Sequence, residues 1–173
     1  MIRIRDERPG DHARVFALQA AAFGRKSEAR LVEDLRTVAR PQLSLVAERD
    51  GQVVGHVFVS PVVLEGAPAL RAGGLGPVGV NPAEQGEGIG SALVRAALER
   101  APALGWRAVF LLGNPRYYAR FGFALAAPRG LRYRSADFDP AFQVFELAPG
   151  ALDGCAGLVR FDPAFDRAEG PDA

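Results

Sequence analysis

Between Gln85 and Ser91, three glycines alternate with other residues in the order Gln85-Gly86-Glu87-Gly88-Ile89-Gly90-Ser91. Ahead of them stand the β-type run Val78-Gly79-Val80 and the turn pair Asn81-Pro82. After them Leu93, Val94, Ala97 and Leu98 join Ile89 at helical spacing, which makes one apolar stripe. The first N–H groups of a helix have no partner inside it, and the macrodipole places positive charge there. Glycines remove the β-carbons that would hold a phosphate away from the backbone. The chemistry this predicts is capture of a diphosphate by main-chain amides.

Two common phosphate-binding patterns are excluded. There is no Gly-x-x-x-x-Gly-Lys-Ser/Thr string, and the single lysine is the distant Lys26, which argues against a P-loop kinase or ATPase. Gly74-Leu75-Gly76-Pro77-Val78-Gly79 matches Gly-x-Gly-x-x-Gly, but it runs into Val80-Asn81-Pro82 instead of opening a helix. The dinucleotide reading needs strand then helix, so this match is coincidental.

What remains is Gln-x-x-Gly-x-Gly, carried by Gln85, Gly88 and Gly90 directly after a strand. A second motif follows the next expected strand: Leu112-Gly113-Asn114-Pro115-Arg116-Tyr117-Tyr118-Ala119-Arg120-Phe121-Gly122-Phe123. Together they resemble the GNAT superfamily of acyl-coenzyme A-dependent N-acetyltransferases, nearest to its YhbS-like branch. The resemblance spans roughly residues 2–148. It implies a mixed, largely antiparallel α/β sheet with splayed central strands flanked by helices. It also implies transfer of an acyl group, acetyl first of all, from the coenzyme thioester to an amine by direct attack.

The resemblance assigns residues as follows. Val78, Gly79 and Val80 line the pantetheine arm, with the Val78 N–H as the donor to the developing oxyanion. Gln85, Gly86, Glu87, Gly88, Ile89, Gly90 and Ser91 hold the diphosphate. Tyr118 is the general acid toward the leaving thiolate, Tyr117 its alternate, and Asn114, Tyr117 and Tyr118 also contact the coenzyme. Asn114 departs from the family pattern, since only three residues separate it from Tyr118, and its second reading is a turn-forming Asn-Pro. No general base is assigned. His56, Glu65, Glu84 and Glu146 are candidates, each with a bland reading as a packed histidine or a solvated carboxylate. Arg116 and Arg120 have two readings, neutralising phosphates or lying solvated on a short helix. Trp106 and Cys155 read as core or neutral positions.

Around these residues the sequence predicts a positioning frame. Ile2-Arg3-Ile4-Arg5 alternates as a strand. A helix follows Pro9-Gly10-Asp11 with Asp11 as N-cap, and a second helix is capped by Ser27 and stops before Pro41. Residues 43–48 and 53–60 form a hairpin across Arg49-Asp50-Gly51-Gln52. Further strands are expected at 70–80, 108–112 and 143–147, a long helix to about Ala103, and a short helix at 117–121. Residues 1–148 form the transferase domain. Residues 149–173 form an extension packed on it, with an edge strand at 158–161 and a loose end from Asp166.

The chain has 173 residues, 21 basic and 20 acidic, for a formal charge of +1. That balance offers no footprint for nucleic acid or an anionic membrane. One cysteine permits no internal disulfide, and two histidines far apart are too few for a zinc site, so no metal is expected. The start lacks a signal-peptide core and no apolar run approaches membrane-spanning length, which points to a cytoplasmic protein. Acetyl-coenzyme A is the expected co-substrate and an unidentified amine the acceptor, with homodimer formation open. The rival reading from another class is a non-catalytic acyl-coenzyme A sensor.

Overall fold

A computed structural model of the chain describes residues 1–169. It divides into two compact units that interleave along the sequence. The first holds residues 1–60, 76–97 and those from Asp162 on; the second holds 61–75 and 98–161.

In the first unit, β1 (Ile2–Asp6) runs antiparallel to β2 (Leu43–Arg49), with Ile4 opposite Ala47. β2 runs antiparallel to β3 (Gln52–Leu64), with Val46 opposite His56. Asp50 and Gly51 make the turn at positive φ, as the hairpin signal requires. The helices α1 (His12–Phe23) and α2 (Ser27–Val38) pack one face each into a core of Val15, Leu18, Leu31, Leu35, Val46 and Phe58. Burying each such side chain contributes about 1.5–3 kcal/mol. The short α5 (Ala164–Ala168) adds Ala164 to the same core.

In the second unit, β5 (Ala108–Leu112) pairs parallel with the start of β4 (Ala72–Val80), and that ladder ends at Gly74–Phe110. β5 pairs antiparallel with β8 (Phe142–Glu146), which also pairs with the two-residue β6 (Ala124–Leu125). β7 (Leu131–Arg132) lies parallel to β9 (Gly157–Arg160), and β9 lies antiparallel to the end of β3. Phe110 and Phe142 stack at 5.5 Å inside this core, with Tyr133 and Val144 around them. The hydrogen-bonded strand order is β1-β2-β3-β4-β5-β8-β6. The sheet is thus mixed and largely antiparallel, flanked by helices.

Several local expectations are corrected. Asp11 precedes α1, but its carboxylate makes no cap bond to that helix. It instead accepts from Arg5 at 2.7 and 3.0 Å and from the Arg8 N–H, because a guanidinium competes better than a helical amide. Ser27 is the first residue of α2, and its hydroxyl donates to Glu28. Residues 164–168, straddling the start of the expected loose end, are helical, since Ala164 and Phe165 bury against α1 and α2 side chains. The remainder of that expectation, residues 170–173, lies outside the described residues.

Candidate functional site

The loop after β4 is built as its glycines require. Gly86 and Gly88 have φ of +81° and +83°, values that side chains disfavour, and a β-carbon on either would meet only open space. Residues 85–88 are exposed while Ile89 is buried. The Gly88 carbonyl accepts from the Ala92 N–H at 3.0 Å, so the helix α3 (Ile89–Arg100) begins there, with Ile89, Gly90 and Ser91 in its first turn. α3 is set close to the sheet at Gly55 of β3, where a β-carbon would stand 3.0 Å from both Ile89 and Leu93. The loop side chains face other tasks. Gln85 Nε2 donates to the Val80 carbonyl at 3.0 Å, and Glu87 pairs with Arg49 at 2.6 Å. That pairing neutralises the acidic group nearest the amides, which would otherwise repel an anion.

The end of β4 presents an edge. The Asn81 N–H donates to Val54 of β3 at 2.8 Å. Amides alternate in direction along an extended strand, so Gly79 faces β3 while Val78 and Val80 face away from it. Pro77, immediately before, brings no N–H at all.

On the face of β4 opposite Gly55, a buried polar chain crosses the first unit. Gln19 Nε2 contacts His56 Nδ1 at 2.9 Å, and His56 Nε2 contacts Ser44 Oγ at 2.8 Å. Ser44 Oγ donates to Glu7 at 2.7 Å, and Arg36 holds the other Glu7 oxygen at 2.7 Å. Ser44 has one proton and gives it to the carboxylate, so His56 carries its proton on Nε2 and accepts from Gln19 at Nδ1. Burial pushes the imidazole down to about 4 despite Glu7, so it is neutral. His56 therefore serves the frame and is shielded from any substrate proton. This is no hydrolase triad either: the carboxylate bonds the serine, and the imidazole is turned by an amide.

The other candidate bases are also engaged. Glu84 accepts from Asn81, Glu65 pairs with Arg160, and Glu146 accepts from Arg129 and the Leu152 N–H.

In the second unit the tyrosine motif folds as α4 (Pro115–Tyr118) and a following 3-10 turn, Ala119–Phe121. Asn114 is the N-cap, its side-chain oxygen accepting from the Arg116 N–H at 2.9 Å. That geometry favours its turn-forming reading. Arg120 spends its guanidinium on the Tyr117 carbonyl and ring. The Tyr118 ring lies against Tyr117 at 4.9 Å and Phe123 at 5.8 Å. It also rests on Gly113, where a β-carbon would stand 2.4 Å from the ring. Burial and the neighbouring Tyr117 push its phenol up to about 12. Trp106 is buried, as expected.

Sequence reasoning missed Gln19, Ser44 and Glu7, and gave Gly113 and Gln143 no role. Gly79 was the one local signal, a glycine in a strand that marks a close approach by another group.

Among the described residues, no group of three or more His, Cys, Asp or Glu is placed to hold a metal ion. No described helix is long and apolar enough to cross a membrane.

A strand with an open edge, a glycine loop at positive φ and a helix start follow one another within a mixed sheet. Residues 3–126 match the family model described as an acetyltransferase (GNAT) domain. The chain is 42% identical over 165 residues to the uncharacterized N-acetyltransferase YhbS of Escherichia coli K12, covering 95% of this chain and 98% of that one. The crystal structure of E. coli YhbS in complex with CoA superposes with a TM-score of 0.90 at 41% identity, over 96% of this chain and 92% of that one. A Brucella melitensis GNAT family acetyltransferase in complex with acetyl-CoA gives 0.79 at 40% identity, over 96% and 99%. The chain belongs to the GNAT family of N-acetyltransferases.

Proposed function

We propose that this protein transfers an acetyl group from acetyl-coenzyme A to the neutral amine of an acceptor. The observation that carries this is the loop itself. Gly86 and Gly88 hold it at positive φ with open space outside, and the α3 amides follow directly. Two relatives, 41% and 40% identical and each covering 96% of this chain, were crystallised with CoA and acetyl-CoA. The residues present fit such a ligand: main-chain donors for a diphosphate, and a strand edge for pantetheine amides.

When bound, the thioester supplies an activated carbonyl and a leaving thiolate. The acceptor nitrogen forms the C–N bond, the C–S bond breaks, the amine loses one proton and the thiolate gains one. In this reading the loop from Gln85 to Ser91 binds the diphosphate through main-chain amides, although the Gln85 N–H itself is given to the Pro82 carbonyl at 3.4 Å, and the Val78 N–H receives the charge developing on the carbonyl oxygen. One such donor is worth about 2.7–4 kcal/mol.

In this reading Tyr118 is the donor to the departing sulfur. Its phenol, pushed up to about 12, keeps its proton across the working pH range. Complete transfer to a thiolate of pKa near 8.5 is uphill. Tyr118 therefore donates a hydrogen bond as charge builds on sulfur, and the proton lost by the amine restores the balance. Asn114 and Tyr117 support the same segment. Residues 1–148 supply this machinery, and the extension that begins at 149 packs on the same domain.

The test has two stages. Calorimetric titration with acetyl-coenzyme A establishes binding, and thiol release over a panel of primary amines establishes turnover. Binding without amine-dependent thiol release would instead establish the sensor reading.

A further inference from the structure

We propose that Gly113 and Gln143 are positioning residues that aim the Tyr118 hydroxyl; this rests on the reading of Tyr118 as the donor to the thiolate. Gln143, on β8, is 1% exposed. Its Nε2 donates to the Gly113 carbonyl at 3.0 Å and to the Ala141 carbonyl at 3.2 Å. The Gly113 N–H donates to the same Ala141 carbonyl at 3.0 Å. Both main-chain groups of Gly113 are thereby fixed, just beyond the end of β5.

Against that fixed backbone lies the Tyr118 ring. A β-carbon on Gly113 would stand 2.4 Å from one ring carbon and 2.9 Å from the next. The seat therefore exists only with glycine at 113, and only with the peptide held in its present plane. Tyr117, Phe121 and Phe123 close the other sides at 4.9–6.0 Å between ring centroids. These contacts are all to the ring, and among the described residues none is seen to hydrogen-bond the Tyr118 hydroxyl. The hydroxyl's direction is thus set by the ring's seat alone.

The clamp is costly in isolation. The Gln143 Oε1 atom is buried without a partner. Such an orphan carries a desolvation penalty that a leucine or methionine at 143 would avoid. The two donated bonds are what the glutamine provides and an apolar residue does not.

The test is a double-substitution cycle on the intact protein, using acetyl-coenzyme A and whichever panel amine gives the fastest thiol release. Gly113→Ala is expected to lower kcat at least tenfold with the KM for acetyl-coenzyme A changed by less than about twofold. In a Tyr118→Phe background the same change is expected to cost less than about twofold, because no hydroxyl remains to be aimed. The phenylalanine ring fills the same seat, so mere structural damage would persist there. Gln143→Met, which keeps the volume, is expected to follow the same pattern more mildly.

A ligand-free readout accompanies it. The phenolate absorbance of Tyr118, taken as the difference from Tyr118→Phe, is expected to appear at lower pH in Gly113→Ala, moving from about 12 toward the ordinary value of about 10 as the ring leaves its buried seat. Equal losses in both backgrounds, or no loss on Gly113→Ala, would overturn the positioning role alone. Full activity in Tyr118→Phe would overturn the donor reading and this inference with it.

Discussion

The amide oxygen of Gln19 occupies the space where a side chain at position 79 would begin. A β-carbon on Gly79 would stand 2.5 Å from Gln19 Oε1 and 2.8 Å from the amide carbon. Gln19 cannot easily yield, because its Nε2 is bonded to His56. The glycine in β4 thus leaves room for a polar chain that ties α1 to the sheet.

Gly79→Ala is accordingly expected to destabilise the protein by about 1–3 kcal/mol, the usual cost of forcing atoms into a packed interior. The penalty should shrink when Gln19→Ala is made first, since the opposing amide is then gone. Urea midpoints of the two single variants and the double variant measure this. A penalty unchanged by Gln19→Ala would show that the clash lies elsewhere.

Tyr118→Phe is expected to lower turnover about 10²-fold or more while leaving the dissociation constant for acetyl-coenzyme A within about twofold. The ring contacts are kept and only the hydroxyl is lost. Steady-state rates beside calorimetric titration separate these effects, and an unimpaired kcat would remove the residue from the chemistry.

Gly88→Val meets no steric obstacle, yet φ there is +83°. Holding a side chain in that region costs about 1–2 kcal/mol, more for a branched residue. The loop is expected to relax away from it and lose the amide array. The KM for acetyl-coenzyme A should rise at least about tenfold. Thermal stability should change little, because the position is exposed. Unaltered donor affinity would place the diphosphate elsewhere.

Acid should weaken the fold before it reaches the ordinary carboxylate range. His56 sits at about 4 in the folded chain against 6.5 when free. Between those values the unfolded chain binds more protons than the folded one, so stability falls as pH drops from about 6.5 to about 4. The gap corresponds to about 3 kcal/mol. Glu7 acts in the same sense further down. Burial alone would raise it, but the bonds from Arg36 and Ser44 outweigh burial and hold it low, so its contribution is lost below the free carboxylate value. The groups acting on His56 are Glu7, Arg36 and Asp11. Denaturant midpoints at pH 4.5 and 7.5 should differ clearly in the wild type and much less in His56→Gln. Equal pH slopes in the two proteins would refute the assignment.

What was legible in the sequence was local. The alternation at 2–5, the Asp50-Gly51 turn and the Ile89 stripe each follow from neighbours within a few residues, and each element formed where expected. β6 and β7 went unseen because two-residue strands exist only through their partners, β8 and β9. Asp11 misled because its partner Arg5 belongs to another element. The polar chain was out of reach for the same reason: Gln19 and His56 lie 37 positions apart, as do Glu7 and Ser44. The loop and Tyr118 could be picked out from motifs, whereas the seat beneath Tyr118 depends on Gln143, 25 residues further on.

The closing stretch of the chain bears on how the protein can be trimmed or tagged. Ala164 is 1% exposed among the side chains of α1 and α2, and β9 pairs with the far end of β3, where Leu64 and Val159 are buried opposite each other. A shortened version ending at 148 would therefore leave two apolar surfaces wet at once and invite aggregation. Fusions and affinity handles belong ahead of Ile2 or past Glu169, where they leave both intact.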